Sequence, residues 1–136
     1  MNLEVKFVQK LRDVLSRLAN ISRKINAAVA YVTNDGLDIL DEMGLTLNKA
    51  VIGSAFNITE PSAIQRLLKA RSEIRIAEVV GEFHPKIYLI PYDDSIAVIV
   101  GSSNLTRGGL EINEEANIIL HGKKNEPPHI KYFRLF

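Results

Sequence analysis

Two short apolar segments without polar alternation constrain the fold of this chain more than any other feature. They run from Ile25 to Val32 and from Lys49 to Gly53. Strands that read as continuous apolar runs are typically buried on both faces, as in parallel sheets. Between them, Thr33-Asn34-Asp35-Gly36 can cap a helix that continues through Met43. This strand–helix–strand order predicts an α/β fold.

The rest of the chain adds helices and a group of adjacent strands. Apolar residues at helical spacing predict a helix over residues 3–20, and Pro61 suits the first turn of another helix. Tyr92-Asp93-Asp94-Ser95 is a good hairpin turn. The remaining strands are predicted at positions 74–80, 86–91, 96–100 and 115–120. The expected architecture is a mixed, largely parallel sheet flanked by helices.

Length and composition narrow the class of protein. The 136 residues suit a single domain, at roughly 100–200 residues per domain. An apolar content of 46% and a charged content of 24% exclude wholesale disorder. The absence of cysteine excludes a disulfide scaffold and a cysteine nucleophile, and it fits a reducing, cytoplasmic location. No apolar run approaches the roughly 18 residues of a membrane span, so no membrane partner is expected.

The C-terminal residues predict the start of one more helix. Pro127-Pro128 precedes Ile130, Phe133 and Leu135, and the sequence stops at Phe136 after about two turns. We expect either that this end packs on another subunit or that residues 1–136 are the N-terminal catalytic part of a longer protein. Lys123, Lys124, Lys131 and Arg134 make this tail the best local basic patch of a chain with a formal net charge of +1.

A set of polar residues is expected to meet at one end of the sheet. His84 and Lys86, two residues apart at the start of a strand, point to the same side. The hairpin returns the chain to the same level, so Ser102 and Asn104 can lie beside them. The next strand can bring Glu115 to the same end.

These residue types together favour binding of a phosphate. The Lys86 ammonium and the Asn104 amide are donors for non-bridging phosphate oxygens, and Ser102 adds a hydroxyl. Gly101 lets the backbone approach an anion closely. Glu115 can accept a hydrogen bond from one ring nitrogen of His84, which would orient the imidazole and raise the basicity of the other nitrogen. No metal-ligand cluster is evident.

The spacing of these residues resembles a known motif. His84-x-Lys86 followed by Gly101-Ser102-x-Asn104 looks like the HKD motif of the phospholipase D superfamily. Phe83-His84-Pro85-Lys86-Ile87-Tyr88 and Gly101-Ser102-Ser103-Asn104-Leu105-Thr106 most resemble its nuclease and restriction-endonuclease branch. The α/β pattern upstream fits the family fold, so the resemblance extends over the whole chain.

One position departs from the family pattern. The family aspartate is expected five residues after the lysine, where this chain has Pro91; Asp93 and Asp94 follow in the predicted turn. Glu115, eleven residues after Asn104, matches the glutamate that supports the histidine in the smaller nucleases.

The resemblance implies a two-step phosphoryl transfer without metal or cofactor. His84 would attack phosphorus and form a phosphohistidine, and a second histidine would protonate the leaving oxygen and then activate water. Lysines and asparagines would stabilise the developing charge. This chain carries one such motif, because no GSxN follows His129-Ile130-Lys131. We therefore expect a homodimer with a composite site.

The preferred function is a nuclease acting on nucleic acid, with DNA favoured. Two alternatives stay open. One is a phospholipid hydrolase of the same superfamily, although the chain lacks an amphipathic surface helix with large aromatic residues. The other is a non-catalytic nucleic-acid-binding module of a larger restriction or repair protein. Arg107 can contact a phosphate backbone or lie solvated in its loop.

Overall fold

The computed structural model describes residues 6–8, 10–55 and 58–123, with Lys6 and Phe7 described by backbone alone. These ranges form seven strands, three α-helices and one π-helical turn. The strands are β1 (Lys6–Val8), β2 (Lys24–Val29), β3 (Thr46–Ile52), β4 (Glu73–Ile76), β5 (Lys86–Tyr92), β6 (Ser95–Gly101) and β7 (Asn117–Lys123). The helices are α1 (Leu11–Leu18), α2 (Asn34–Met43) and α3 (Pro61–Lys69), and the π-helical turn is Gly108–Ile112.

All seven strands belong to one mixed sheet, in the order β1-β7-β6-β5-β2-β3-β4. This confirms the predicted α/β architecture with a mixed sheet. Among the described strands, β2–β3 and β3–β4 pair in parallel and the other four pairings are antiparallel. Fewer of the pairings are parallel than expected. β5 pairs with β2 in the antiparallel direction, and β5 and β6 are joined by a two-residue turn, which only antiparallel neighbours allow.

The central strands are covered on both faces, as their lack of alternation predicts. Ala27, Ala28 and Val29 of β2 have no exposed surface. Ala27 and Val29 lie in the main core, whereas Ala28 packs with Val51 and Phe83 on the opposite face of the sheet. The predicted cap of α2 is present, since Thr33 Oγ1 accepts from the amide of Gly36 at 3.3 Å.

The main core lies between one face of the sheet and the three helices. α1 buries Leu11, Val14, Leu15 and Leu18 at helical spacing, and α3 begins with Pro61 at its first position, as predicted. The other face of the sheet carries a separate apolar cluster of Leu89, Ile96 and Val98. No helix of the described residues is long and apolar enough to cross a membrane.

Three predicted boundaries were wrong. Residues 6–8 form β1 rather than the first turn of a helix, because the edge of β7 offers them backbone hydrogen bonds that outweigh local helical preference. Val80 lies outside β4 and is fully exposed. Glu115 precedes β7, which begins at Asn117. The helix expected around Ile130 lies outside the described residues.

Candidate active site

The predicted site residues meet at one end of the sheet, and the strand register explains why. Val29, at the end of β2, is opposite Lys86, at the start of β5. β6 runs back beside β5, and its last residue, Gly101, is opposite Asn117, the first residue of β7. The segments that flank these strand ends therefore converge at the carboxyl edge of β2, where ligands gather in α/β sheets.

His84 and Lys86 are in direct contact. The His84 imidazole is exposed, whereas Lys86 is only 7% exposed. The Lys86 ammonium donates to the His84 carbonyl oxygen at 2.8 Å and lies 2.5 Å from Nδ1 and 3.0 Å from Nε2. Burial removes water from this ammonium and lowers the pKa of Lys86, while the carboxylates of Glu82 and Glu115 offset part of that shift. A cation thus lies beside an accessible imidazole.

Glu115 contacts Ser102 rather than His84. The Ser102 hydroxyl donates to Glu115 Oε2, and it accepts from the Ala116 amide at 2.9 Å. The other carboxylate oxygen accepts from Asn113 Nδ2 at 3.3 Å. The hydrogen bond expected between Glu115 and His84 is not among the contacts of the described residues, where Glu115 bonds to Ser102 and Asn113 instead. The negative charge of Glu115 nevertheless stabilises the Lys86 ammonium electrostatically and raises its pKa.

Asn104 connects the polar loop to the end of β2 through Tyr31. Its Oδ1 accepts from the Tyr31 amide at 3.2 Å. With its oxygen engaged in this way, the carboxamide presents Nδ2 as a donor. The Tyr31 ring packs edge-on against His84, with ring centroids 6.3 Å apart. Sequence reasoning missed Tyr31 because it extended the strand to Val32, whereas β2 ends at Val29 and leaves Tyr31 at the carboxyl edge of the sheet.

Gly101 is required by strand packing. A Cβ at this position would collide with the Ala116 carbonyl oxygen and with the side chain and Cα of Asn117. Its φ does not lie in the left-handed region. The close approach to β7 therefore explains the glycine without reference to a bound anion.

Arg107 is engaged in ion pairs. Its guanidinium donates to Glu111 and lies 3.7 Å from Asp35. Glu111 also accepts from Arg12, and these cations hold the pKa of the Glu111 carboxyl below its usual value, Arg12 having the largest effect. The network links α1, α2 and the π-helical turn, so the structural role of Arg107 is the better supported one.

Pro91, at the position of the family aspartate, lies in β5 far from the site. Its carbonyl accepts from the Ser22 hydroxyl at 2.6 Å. Asp93 and Asp94 form the turn between β5 and β6, and Asp93 takes a left-handed φ of 47°. These aspartates lie at the opposite end of the hairpin from His84, so neither replaces the missing residue within the site.

The assembled groups suit a tetrahedral oxyanion. Lys86 and Asn104 supply donors, His84 supplies an accessible imidazole, and Ser102 and Glu115 form a hydrogen-bonded pair beside them. Charge-assisted donors of this kind stabilise phosphate oxygens. Within the described part of the chain, no group of three or more His, Asp and Glu side chains is arranged to hold a metal ion.

Solved structures share this fold at low sequence identity. NucT from Helicobacter pylori superposes with a TM-score of 0.61 at 15% identity, covering 88% of this chain and 86% of that one. Nuc from Salmonella typhimurium, a phospholipase D family member, gives a TM-score of 0.59 at 17% identity, over 90% of this chain and 83% of its own. A mutant of yeast tyrosyl-DNA phosphodiesterase gives 0.59 at 11% identity, over 87% of this chain and 30% of its own.

A family model gives the assignment at the sequence level. A search among curated proteins found no significant match. The model described as "Cardiolipin synthase, PLD-like domain" matches residues 7–134, nearly the whole chain. The sequence, the sheet and the cluster at its edge agree with this match. The chain therefore belongs to the phospholipase D-like domain family.

Proposed function

We propose that this protein is a metal-independent phosphodiesterase that cleaves nucleic acid, with DNA as the favoured substrate. The observation that carries the proposal is the pairing of an accessible His84 imidazole with the buried Lys86 ammonium, beside the Asn104 donor. The similar folds of Nuc and NucT, and of a tyrosyl-DNA phosphodiesterase, support a nucleic-acid phosphodiester as the substrate.

In the proposed first step, a ring nitrogen of His84 attacks phosphorus. The nitrogen–phosphorus bond forms as the bond from phosphorus to the leaving oxygen breaks, and a second histidine donates a proton to that oxygen. In the second step this histidine takes a proton from water, the water oxygen attacks phosphorus and His84 is released. Lys86 and Asn104 stabilise the charge on the non-bridging oxygens in both steps.

The second histidine of the proposal is the partner subunit's His84. His121 lies at the other end of β7 and is bound to Tyr92, so it cannot serve this site. An isologous dimer places equivalent residues across its axis, which brings two copies of one motif together. We therefore propose a homodimer with one composite site.

The test is cleavage of plasmid and single-stranded DNA in excess EDTA. We expect the wild type to cleave, His84→Ala to fall to background and His121→Ala, the matched control, to retain activity. Activity abolished by EDTA would refute the metal-independent mechanism. No cleavage by a folded, dimeric wild type would refute the nuclease; retained DNA binding would then favour the binding module, and activity restricted to phospholipid vesicles would favour the lipid hydrolase.

Subunit mixing tests the composite site. Wild type and His84→Ala, mixed in equal amounts and allowed to exchange, form the two homodimers and the mixed dimer in a ratio of about 1:1:2. If both histidines serve one site, activity falls to about one quarter of that of an all-wild-type sample. A fall to about one half would indicate independent sites, and an active protein that sediments as a monomer at assay concentration would overturn the dimer.

A further inference from the structure

Ser103 is the inward-facing residue of the loop that carries two predicted site residues. It has no exposed surface, whereas Ser102 is exposed and Asn104 is half-buried. Burial therefore alternates over these three residues, and with Ser103 turned toward the interior, Ser102 and Asn104 lie on the outer side of the loop.

Buried hydrogen bonds from Tyr88 and Asn117 hold Ser103 on the interior side of the loop. The hydroxyl of Tyr88 donates to the Ser103 carbonyl oxygen at 2.8 Å, and Tyr88 is fully buried. Asn117, only 1% exposed, donates from Nδ2 to Ser103 Oγ at 2.9 Å and accepts from the Ser103 amide at 3.4 Å. The same Nδ2 also donates to the Val8 carbonyl at 3.3 Å, which links the network to β1.

Tyr88 is suited to a permanent donor role. It lies two residues beyond Lys86 on the same face of β5, directly under the site. Burial raises the pKa of its phenol, and the negative charge of Glu115 raises it further, so the hydroxyl keeps its proton throughout the range in which proteins work. The proposed reaction makes no chemical use of this group, which touches the loop and faces no solvent.

We propose that Tyr88 is a positioning residue that, with Asn117, clamps Ser103 and thereby aims Ser102 and Asn104 at the bound phosphate. The proposal rests on the proposed function and adds a residue to it. Loss of the clamp removes no phosphate-binding group, but it lets the loop that carries Ser102 and Asn104 move. A misplacement of about 1 Å can slow a reaction about 10²-fold.

The strand offers a matched control. Tyr92 lies four residues further along β5 on the same face, and its hydroxyl contacts His121 Nδ1 at 2.7 Å, far from the site. Tyr88→Phe and Tyr92→Phe each remove one hydroxyl and one hydrogen bond from the same strand. We expect Tyr88→Phe to lower kcat by about 10-fold to 100-fold with KM within about twofold, and Tyr92→Phe to leave both unchanged. Equal effects of the two variants on kcat, or no effect of either, would overturn the proposal.

A double-mutant cycle separates positioning from general destabilisation. If Tyr88 acts through the loop, the effect of Tyr88→Phe shrinks in an Asn104→Ala background, because the group it positions is gone. Fully multiplicative losses would overturn the proposal. If Tyr88→Phe does not fold, Ser103→Ala removes the acceptor of Asn117 Nδ2 from the same network, and it is expected to lower kcat in the same way; an unchanged kcat would refute the clamp.

Amide hydrogen exchange gives a readout that needs no activity. Tyr88→Phe is expected to speed exchange at Ser102, Asn104 and Leu105, and Tyr92→Phe is expected not to. An inactive wild type would refute the proposed nuclease, and hydrogen exchange would then be the test of whether Tyr88 holds the loop. Unchanged exchange in the loop of Tyr88→Phe would overturn it.

Discussion

Replacement of Gly101 by alanine tests whether this glycine serves strand packing or anion binding. A Cβ there would overlap the Ala116 carbonyl oxygen and lie 2.6 Å from the Asn117 Cα, backbone atoms that cannot move aside as a flexible side chain can, and it would also overlap Asn117 Oδ1. Relief requires β6 and β7 to separate locally, at the point where Gly101 pairs with Asn117. Overpacking of this kind costs about 1–3 kcal/mol. The gain of about 0.4–1 kcal/mol from a less flexible unfolded chain works in the opposite direction and is the smaller effect.

Urea denaturation measures the net cost. The mid-range values leave a net cost of about 1.3 kcal/mol. With a slope of about 2 kcal/mol per M for a domain of this size, the midpoint of Gly101→Ala is expected to fall by about 0.6 M. Gly108→Ala is the matched control, because the atoms nearest to its Cβ would belong to the side chain of Asn113, with Nδ2 at 3.1 Å. That side chain can move, so the midpoint of Gly108→Ala should stay within about 0.3 M of the wild type.

The two roles of Gly101 give opposite results. If Gly101→Ala loses stability, the close approach to β7 explains the glycine. If the variant unfolds at the wild-type midpoint but binds inorganic phosphate more weakly, the packing argument is refuted, and the glycine serves the anion instead.

Three further predictions concern titration and capping. Burial lowers the pKa of Lys86 below the value of about 10.4 for an exposed lysine. If the reaction needs the Lys86 ammonium, kcat/KM should therefore fall as pH rises through this lowered pKa. Because Arg12 holds the pKa of Glu111 down, its carboxylate adds stability above its unfolded pKa, and that stability is lost as pH falls through the lowered pKa; Glu111→Gln should flatten the fall in Tm on acidification. Thr33→Ala removes the cap of α2 and should cost about 0.5–2 kcal/mol in urea denaturation.

Each of these predictions has a contrary result. An alkaline limb of the pH profile at or above the ordinary lysine value would contradict the buried-ammonium argument. An equally steep acid transition in Glu111→Gln would mean that other carboxyl groups control it. Thr46→Ala, at the exposed start of β3, is the control for the cap. Equal losses of stability in Thr33→Ala and Thr46→Ala would show that the loss does not come from the cap.

Much of the fold followed from local patterns. The apolar run of β2 is covered on both faces, the Thr33 cap and Pro61 start helices where expected, and the β5–β6 hairpin brings its two ends to one level. These features depend on residues close in sequence and on the alternation or periodicity of burial, which the sequence displays directly.

The arrangement within the site could be predicted only in part. Spacing predicted that His84, Lys86, Ser102 and Asn104 would meet, and register places them together. The hydrogen-bond partner of Glu115 could not be predicted. Ser102 and His84 lie at the same sheet edge, and side-chain packing decides which of the two comes within hydrogen-bond distance of the carboxylate. The roles of these residues in catalysis remain predictions for the experiments above.

The sequence alone therefore determined the class of fold, the family resemblance and the group of residues at one sheet edge, since these depend on periodicity and spacing. Only the tertiary structure decided that residues 6–8 join the sheet edge, that Gly101 faces β7 and that Tyr31 packs on His84. These contacts join residues far apart in the chain. Their geometry depends on strand register and close packing, which no local pattern encodes.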